Sequence, residues 1–368
     1  MNPLFDPADF RIPPGVTHLC AGGETAALHA HDQAVLRYLA DKSNGMPGRA
    51  AQDAAVEAAR TGIAALWGVS AGDIGFVSNV AEGVSIVAES LHWQDGDSIC
   101  IAAHEYPSVV GPFALHRHPA IRLVQAHGTG PDQLAACVDS TTRIIAVSYV
   151  SYLTGERVDL PALRSIADRV GALLLVDFTQ AAGYLPIDAS IADFAFSACY
   201  KWMLGITGVA VACWNQARQP DWTPASAGWY SVAPGSRGYD ITPPLRADAM
   251  RFTRGNPAHA SVYVLNSALS YLSRFDPHAI QRHVQTLTVA LLQELARRQI
   301  PVMTPVDPAR HGASVCIASS RAQAIVDTLQ QQGIYTWNGH GRIRVSFHGY
   351  NGMADVDRVA AALGAERF

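Results

Sequence analysis

Paired cysteines, a secretion signal and long apolar runs are all missing from this sequence. The six cysteines are scattered with no Cys-x-x-Cys spacing, so neither a disulfide framework nor a redox pair is expected. Free thiols fit a reducing compartment. The start, "MNPLFDPADFRIPPG", has no basic end followed by an apolar run, and no uncharged apolar stretch is long enough to cross a bilayer. The sequence therefore predicts a cytoplasmic protein without a membrane partner.

Charge of one sign is not concentrated anywhere either. Lys and Arg number 27 against 31 Asp and Glu, and no basic block occurs, so nucleic acid is not an expected partner. The histidines and cysteines form no ligand set with metal-site spacing, and we predict no metal. No Gly-x-Gly-x-x-Gly or Walker sequence follows a predicted strand, which argues against a nucleotide-binding protein.

Apolar residues make up 49% of the chain, and many of them fall in short runs that are apolar throughout. These runs alternate with helical patterns. This alternation indicates an α/β fold with a mainly parallel sheet covered by helices on both faces. The predicted strands are 74–78, 97–103, 121–126, 143–150, 172–178, 193–198 and 208–214, and the predicted helices are 25–42, 50–67, 80–91 and 159–170.

A smaller α/β unit is predicted toward the C-terminal end. A helical region covers 258–300, and strands at 314–319 and 342–348 alternate with helices near 321–332 and 354–364. A chain of 368 residues is long enough for two domains. We predict an extended arm at 1–15, a large domain at 16–255 and a small domain at 256–368.

Asp177 and Lys201 are the two residues of interest in the stretch "VDFTQAAGYLPIDASIADFAFSACYKWM". Asp177 ends an apolar strand, where a carboxylate needs a partner and could equally be a structural cap. Lys201 has apolar neighbours, although a lone lysine is usually at the surface. Together they are the carboxylate and amine that pyridoxal phosphate needs for its pyridine nitrogen and its aldehyde. A desolvated lysine has a lowered pKa and is nucleophilic, and the helix start at 78–81 is suited to a phosphate.

The sequence resembles the class V aminotransferase family of pyridoxal-phosphate enzymes, which includes cysteine desulfurases, selenocysteine lyases, kynureninases and isopenicillin N epimerases. The most specific part is "VDFTQ…SACYKWM", which is similar to the family signature D-x-x-Q…S-x-H-K-W. "YVSYLTGERVDLPAL", "RFTRGNPA" and "RIRVSFHGYNGMADVD" resemble further family segments. The resemblance implies fold type I, with a large domain whose mainly parallel sheet lies between helices and a smaller C-terminal α/β domain. It also implies a homodimer with shared active sites.

The resemblance also implies a role for each matching residue. Lys201 would be the Schiff-base lysine, and Asp177 would pair with the pyridine nitrogen. The other implied cofactor contacts are Gln180 to the ring phenolate, Tyr106 on the ring face, Ser78, Asn79, Val80, Ser197 and the Tyr200 hydroxyl around the phosphate, and Gly255 and Asn256 to the phosphate of the other subunit. Arg344 would clamp the substrate carboxylate as a bidentate fork, and Tyr152 would join it in substrate binding.

Three positions depart from the family pattern. Tyr200 stands where many relatives have a histidine before the lysine. Ala81 falls where a threonine is common in the phosphate turn, and Asn256 replaces the threonine of the family's G-T-P segment. None of these changes removes Asp177 or Lys201, so they bear on the subfamily rather than on the cofactor.

The reaction follows from the family chemistry. The amino-acid substrate would form an external aldimine, and Lys201 would move its Cα proton to leave a carbanion. A persulfide-type desulfurase needs a thiol on a C-terminal loop, but "QQGIYTWNGHGRIRVS" has none and Cys316 lies in a predicted strand. We therefore expect an aminotransferase or a β-eliminating lyase of the C–S lyase type. An epimerase of the isopenicillin N epimerase type and a pyridoxal-phosphate-binding regulatory protein remain as alternatives.

Overall fold

A seven-stranded sheet is the largest element of the computed structural model, which describes residues 1–115, 121–236, 241 and 243–368. The strands are β1 (Thr17–His18), β2 (Ile74–Val77), β3 (Ser98–Ile101), β4 (Arg122–Gln125), β5 (Thr142–Ser148), β6 (Leu173–Asp177), β7 (Phe194–Ala198), β8 (Ala210–Trp214), β9 (Ser314–Ala318), β10 (Ile334–Tyr335), β11 (Trp337–Gly339) and β12 (Arg342–Ser346). The helices are α1 (His31–Ser43), α2 (Gly45–Trp67), α3 (Val80–Ser90), α4 (Pro107–Ala114), α5 (Pro131–Ala135), α6 (Leu160–Val170), α7 (His259–Leu272), α8 (Pro277–Arg297), α9 (Ala322–Gln331) and α10 (Met353–Gly364).

The large sheet has the strand order β2-β8-β7-β6-β5-β3-β4. Strand β8 is antiparallel to both of its neighbours, and the other adjacent strands are parallel. The mainly parallel α/β fold predicted from the sequence is therefore confirmed. As a consequence, β2, β3, β5, β6 and β7 all end at the same edge of the sheet. In such sheets the chemistry lies at this edge.

Both faces of the large sheet are buried from β5 to β8, which explains why these strands are mainly apolar, whereas the edge strand β4 is largely exposed. Along β6, Leu174 and Val176 belong to one hydrophobic cluster and Leu175 to the other, as the period of two requires. Helices α2 and α6 cover the first face, and helices α3 and α4 cover the second. Gly83 lets α3 approach closely, because a Cβ there would lie 2.4 Å from Cε1 of Phe196 on β7. The start of α3 is thereby held near the end of β7.

The C-terminal part contains a three-stranded antiparallel sheet with the order β11-β12-β9. Helices α8, α9 and α10 pack on one face of it and share a hydrophobic cluster with β9 and β12. The N-terminal segment joins this unit, because β1 pairs with β10 and the backbone of Cys20 forms an isolated β-bridge with Ser346. Helix α7 instead packs on the N-terminal helices, where Tyr263 donates to Asp41 and Asn266 to the Ala55 carbonyl. The domain division remains a prediction, and the packing departs from it at residues 17–20 and at α7.

Two predicted elements differ from the structure for identifiable reasons. The helix predicted at 25–42 begins only at His31, because residues 27–29 pair with the N-terminal arm through Ala27, Leu28 and His29. The helical region predicted at 258–300 is two helices. Asp276 caps the second one and Pro277 is its first residue, a start signal that the apolar pattern alone does not reveal. Within the described ranges, no helix combines the length and the apolar character needed to cross a membrane.

The arm at 1–15 was predicted to be extended, but it is partly folded onto the protein. A short 3-10 helix covers Pro7–Asp9. Phe5 is fully buried, and its ring contacts Phe10, Tyr271 and Phe275. Its backbone N–H donates to the Gly349 carbonyl at 2.8 Å. The arm therefore ties the C-terminal unit to α7.

We expect Phe5→Ala to lower the free energy of unfolding by about 3–5 kcal/mol, because it empties a closely packed aromatic site. Urea unfolding followed by circular dichroism measures this change. Val306→Ala, at an exposed apolar side chain, is the matched control and should change stability by at most about 0.5 kcal/mol. A change as small at Phe5 would mean that the arm contributes little to stability.

Candidate functional site

The site is built where the parallel strands end. Asp177 is the last residue of β6, in register with Ser148 at the end of β5 and Phe196 on β7. Lys201 follows the end of β7 closely, and Tyr106 follows β3 at the cap of α4. Residues far apart in sequence thus meet in one cleft because parallel strands share an edge.

Lys201 is a buried amine with only 6% of its surface exposed. No described residue forms an ion pair or hydrogen bond with its Nζ atom, which lies 5.4 Å from the centre of the Tyr106 ring and 5.5 Å from that of Tyr200. Burial, reinforced by the nearby Arg344 charge, lowers the pKa of Lys201 to about 8, although Asp177 and Glu24 act in the opposite direction. A substantial fraction of the amine is therefore neutral near pH 7–8.

The chain contains only one other lysine, the exposed Lys42. Arginine supplies nearly all of the positive charge of the chain. Arginine stays protonated at neutral pH and therefore cannot serve as a nucleophilic amine. This scarcity is a signal in the sequence that the strand-pattern reasoning missed. Lys42 also provides an internal reference for lysine chemistry.

Asp177 is a carboxylate that is almost completely buried. Thr179 donates from its backbone N to Oδ1 at 2.8 Å, and the Thr179 hydroxyl accepts from the Ala198 N–H at 2.9 Å. Among the described residues, no cation lies within ion-pair distance of this carboxylate. Burial raises the pKa of Asp177, while the Thr179 hydrogen bonds and the Lys201 charge oppose that rise. The group lacks the partner that a buried charge requires.

Arg342 and Arg344 lie on the same face of β12, and both are buried. Arg342 donates to the carbonyls of Leu153, Gly339 and Tyr152, so its guanidinium is well satisfied. Among the described residues, Arg344 makes one long hydrogen bond, from Nη1 to the Tyr152 carbonyl at 3.2 Å, and its buried Nε finds no partner.

Burial lowers the pKa of Arg344 to about 10, so the side chain is still a cation at neutral pH. Within the part of the chain that the structure describes, no carboxylate pairs with it. The guanidinium is therefore available to an incoming anion.

The helix start predicted to hold a phosphate is formed at α3. Asn79 caps the helix by accepting from the Glu82 N–H at 2.9 Å, and Val80 is its first residue. The Glu82 carboxylate accepts from the Ser78 N–H at 2.6 Å, so the backbone N–H of Ser78 is already hydrogen-bonded. The N–H groups of the first turn, at Val80 and Ala81, have no intrahelical acceptor by position. Free N–H groups at a helix start are suited to an anion.

Ser197 faces away from the start of α3, and its contact with the phosphate remains a prediction. Its side chain is fully buried, and its hydroxyl donates to the Ala198 carbonyl at 3.1 Å. Side chains alternate along a strand, so Ser197 points toward the cluster that contains Met203, whereas Val80 belongs to the cluster on the other face. Ala198, which has no hydroxyl, occupies the face toward α3.

Three further residues of the predicted cofactor site, Gln180, Gly255 and Asn256, contact or adjoin other parts of their own chain. Gln180 is buried, donates to the Gly22 carbonyl at 2.8 Å and accepts from the Trp202 indole at 3.1 Å, which leaves one amide hydrogen free. Gly255 and Asn256 line a cavity of about 130 Å³ beside Ser78 of their own chain. Their reach toward a second subunit remains a prediction.

Sequence reasoning missed two carboxylates at the site. Glu105 accepts from the backbone N–H of both Tyr106 and Ser148 at 2.7 Å, so it joins the ends of β3 and β5 and fixes the start of the Tyr106 segment. Its position between a strand end and the helix-starting Pro107 in "HEYP" was an available signal. Glu24 comes from a distant N-terminal loop, and no local pattern indicated it. Its charge acts on both Lys201 and Tyr200.

Comparison with known proteins identifies the family. The profile described as "Aminotransferase class-V" matches residues 25–359, so the chain belongs to the class V aminotransferase family. An uncharacterized aminotransferase, YcbU, of Bacillus subtilis is 26% identical over 313 residues, covering 83% of each chain. A probable cysteine desulfurase of Methanothermobacter thermautotrophicus is 26% identical over 336 residues, covering 84% of this chain and 82% of that protein.

Solved structures have the same fold. A mutant of the protein C-DES, with glycine covalently linked to its pyridoxal-phosphate cofactor, superposes with a TM-score of 0.89 at 22% identity, covering 98% of this chain and 99% of that one. The complex of the cystine C–S lyase C-DES with its product cysteine persulfide gives 0.88 at 21% identity, covering 96% and 99%. These matches confirm fold type I. Family membership confirms that the protein is a pyridoxal-phosphate-dependent enzyme. The His, Cys, Asp and Glu side chains of the described residues form no group of three that could hold a metal ion.

We expect Lys201 in the cofactor-free protein to titrate with a midpoint near pH 8, because its environment disfavours the charged form. Reductive methylation with ¹³C-formaldehyde labels both lysines, and NMR then follows each signal with pH. Lys201→Arg identifies the signal by its loss. A midpoint above about pH 10, the range of an ordinary lysine, would contradict the effect of burial.

Proposed function

We propose that the protein removes the Cα proton of an α-amino acid and completes either a transamination or a β-elimination, without a cysteine persulfide. One observation supports this most strongly. Asp177, Lys201 and Arg344 are three buried ionisable groups around one cleft, and none forms an ion pair with a described residue. Buried charges without partners are expensive. They make sense together if a ligand supplies a protonated ring nitrogen, an aldehyde and a carboxylate.

The cleft suits pyridoxal phosphate on this criterion. Asp177 would hold the pyridine nitrogen, Lys201 would hold the aldehyde carbon, and the first turn of α3 would hold the phosphate. Tyr106 would cover one ring face, with Tyr200 on the phosphate side. When bound, the cofactor supplies an electron sink for the negative charge that forms at the substrate Cα. Neither Ala81 nor Ala198 has a hydroxyl, which leaves the phosphate mainly to backbone donors.

Lys201 carries the proton transfer in this proposal. Because the pKa of Lys201 is about 8, both protonation states of its amine are populated near neutral pH. A general acid–base group requires this. The burial that lowers this pKa also excludes water from the nitrogen. Glu105 acts indirectly, because its hydrogen bonds to Tyr106 and Ser148 fix the strand ends that flank the amine.

Arg344 binds the substrate carboxylate in this proposal. Its guanidinium is buried, cationic and nearly free of partners, and Gly23 leaves space beside it because a Cβ there would lie 3.2 Å from Nη2. A carboxylate received by the fork gains charge-assisted hydrogen bonds. Arg342 is unsuited to this role because its donors already serve three carbonyls.

The thiols do not favour a persulfide mechanism. Cys316 is fully buried in β9, opposite Arg344 on β12, and burial raises its pKa. Cys20 is half-buried near Arg344, and burial raises its pKa to about 11, so it is almost wholly protonated at neutral pH. A persulfide relay requires a reactive thiolate, which neither residue supplies.

We further propose a cytoplasmic homodimer. Leu36 and Leu39 on α1 and Met46 at the start of α2 are large apolar side chains exposed in the single chain. Such a group of residues is typical of an interaction surface. All six thiols are free, which suits a reducing compartment. Gly255 and Asn256 would contribute to the partner's phosphate site.

The central test uses the small number of lysines. Borohydride should fix the cofactor irreversibly on the wild-type protein, and mass spectrometry of the peptides should locate it on Lys201 and leave Lys42 unmodified. Lys201→Ala should bind some cofactor noncovalently but trap none, whereas Lys42→Ala should trap it as the wild type does. Trapping on Lys42, or undiminished trapping in Lys201→Ala, would refute the assignment.

Arg344→Ala should raise the apparent KM for the amino-acid substrate about a hundredfold or more, because losing a charge-assisted fork costs about 2–5 kcal/mol. Arg344→Lys should recover only part of this loss, since a point charge cannot reproduce the fork. Steady-state kinetics at saturating cofactor measure the effect. The exposed Arg321→Ala is the matched control, and an equally small effect at both arginines would refute the clamp.

A further inference from the structure

A hairpin formed by β11 and β12 reaches over the cleft and brings Trp337 and His340 to it. The Trp337 indole lies against the N-terminal loop, where a Cβ on Gly23 would lie 2.7 Å from its Cε3 atom. The ring centre is 5.9 Å from the Arg344 guanidinium carbon. Trp337 is 42% exposed, so part of the indole faces solvent beside the proposed carboxylate clamp.

The turn of this hairpin consists of His340 and Gly341, both in the left-handed region, with φ of 54° and 68°. A two-residue turn of this kind favours asparagine or glycine at its first position, because other side chains are strained there. The exposed His340 is therefore more strained at the first position than asparagine or glycine would be, and the turn could form without a histidine there. Its ring centre lies 5.8 Å from that of Tyr152 in an edge-on arrangement.

Tyr152 connects the hairpin to the reactive lysine. Its ring is edge-on to Tyr106 with centroids 4.9 Å apart, and the Tyr106 ring centre is 5.4 Å from Nζ of Lys201. Its backbone carbonyl accepts from Arg344. We call Tyr106, Tyr152, His340 and Trp337 the aromatic row. The row runs from the amine to the turn of the hairpin and flanks the carboxylate clamp.

The charges around the row oppose ionised side chains. Arg342, whose guanidinium carbon is 5.4 Å from the Tyr152 ring centre, and Arg344 would repel a cationic side chain. Glu105, whose charge acts on Tyr152, and Glu24, whose charge acts on Lys201 and Tyr200, would disfavour an anionic one. A substrate held by its carboxylate at Arg344 and by its Cα at Lys201 therefore extends an uncharged group along aromatic surfaces.

We propose that the aromatic row binds the substrate side chain and that the preferred substrate is an α-amino acid with an uncharged aromatic side chain. Edge-to-face and stacked ring pairs add favourable energy beyond the area that they bury. The proposal rests on the function proposed above, because it takes the substrate to be an α-amino acid held between Arg344 and Lys201.

The test titrates the holoenzyme with phenylalanine, alanine, aspartate and lysine and follows the cofactor absorbance. Phenylalanine should bind at least tenfold more tightly than each of the other three. Tyr152→Ala should remove most of that advantage over alanine, whereas Tyr152→Phe, which keeps the ring, should retain it. His340→Gly, which relieves the turn, should reduce the advantage without lowering the thermal unfolding temperature.

A second measurement uses ligands that do not themselves react with the cofactor. The unreactive acids 3-phenylpropionate and propionate compete with the amino acid, and the former should bind at least tenfold more tightly in wild type but not in Tyr152→Ala. Equal affinities for phenylalanine and alanine, with both perturbing the cofactor, would overturn the aromatic row and leave the proposed function intact. If no amino acid perturbed the cofactor, the proposed function itself would fail.

Discussion

The site depends on keeping Asp177, Lys201 and Arg344 away from water without pairing them to one another. A carboxylate beside an ammonium in a buried site would normally form an ion pair and neutralise both groups. Here Thr179 holds the carboxylate by its backbone, and the Lys201 amine lies against the rings of Tyr106 and Tyr200. Burial then shifts the pKa of Lys201 downward and that of Asp177 upward. In the proposed function, a bound ligand offsets the desolvation cost of these buried groups.

The sheet topology makes this arrangement possible. Parallel strands end at one edge, so β3, β5, β6 and β7 each contribute a residue to the cleft at or just beyond their ends. Apolar clusters on both faces of the sheet fix the strand positions. Glu105 adds a local brace, because it joins the backbone that follows β3 to the end of β5.

The chain termini complete the site. The N-terminal segment pairs with β10 and forms an isolated β-bridge with Ser346. This pairing places the Gly22–Gly23 backbone between Gln180 and the Trp337 indole. Arg344 arrives from the C-terminal sheet and contacts the carbonyl of Tyr152. The cleft is therefore formed by segments from the start, middle and end of the chain, and the hairpin of β11 and β12 covers it.

Local sequence determined much of this protein. Apolar runs of strand length predicted the strands of the large sheet, and their alternation with helices predicted the parallel order. Asp177 at a strand end and Lys201 among apolar neighbours predicted the reactive pair, because a buried charge is informative wherever it occurs. The similarity of the surrounding motif to the class V aminotransferases then indicated the cofactor and the fold.

Only the tertiary structure decided the rest, because it depends on contacts between distant segments. Residues 27–29 pair with the arm, so α1 starts later than its periodicity suggests. The alternation of β7 turns Ser197 away from α3, a result that required knowing which hydrophobic cluster each face contacts. Glu24 reaches the cleft from the N-terminal loop, and Trp337 and His340 reach it from the hairpin of β11 and β12. No local pattern marks these residues. The sequence thus indicated the two groups that are proposed to hold the cofactor, whereas the fold decided what surrounds them, since burial and charge at the cleft are set by neighbours from across the chain.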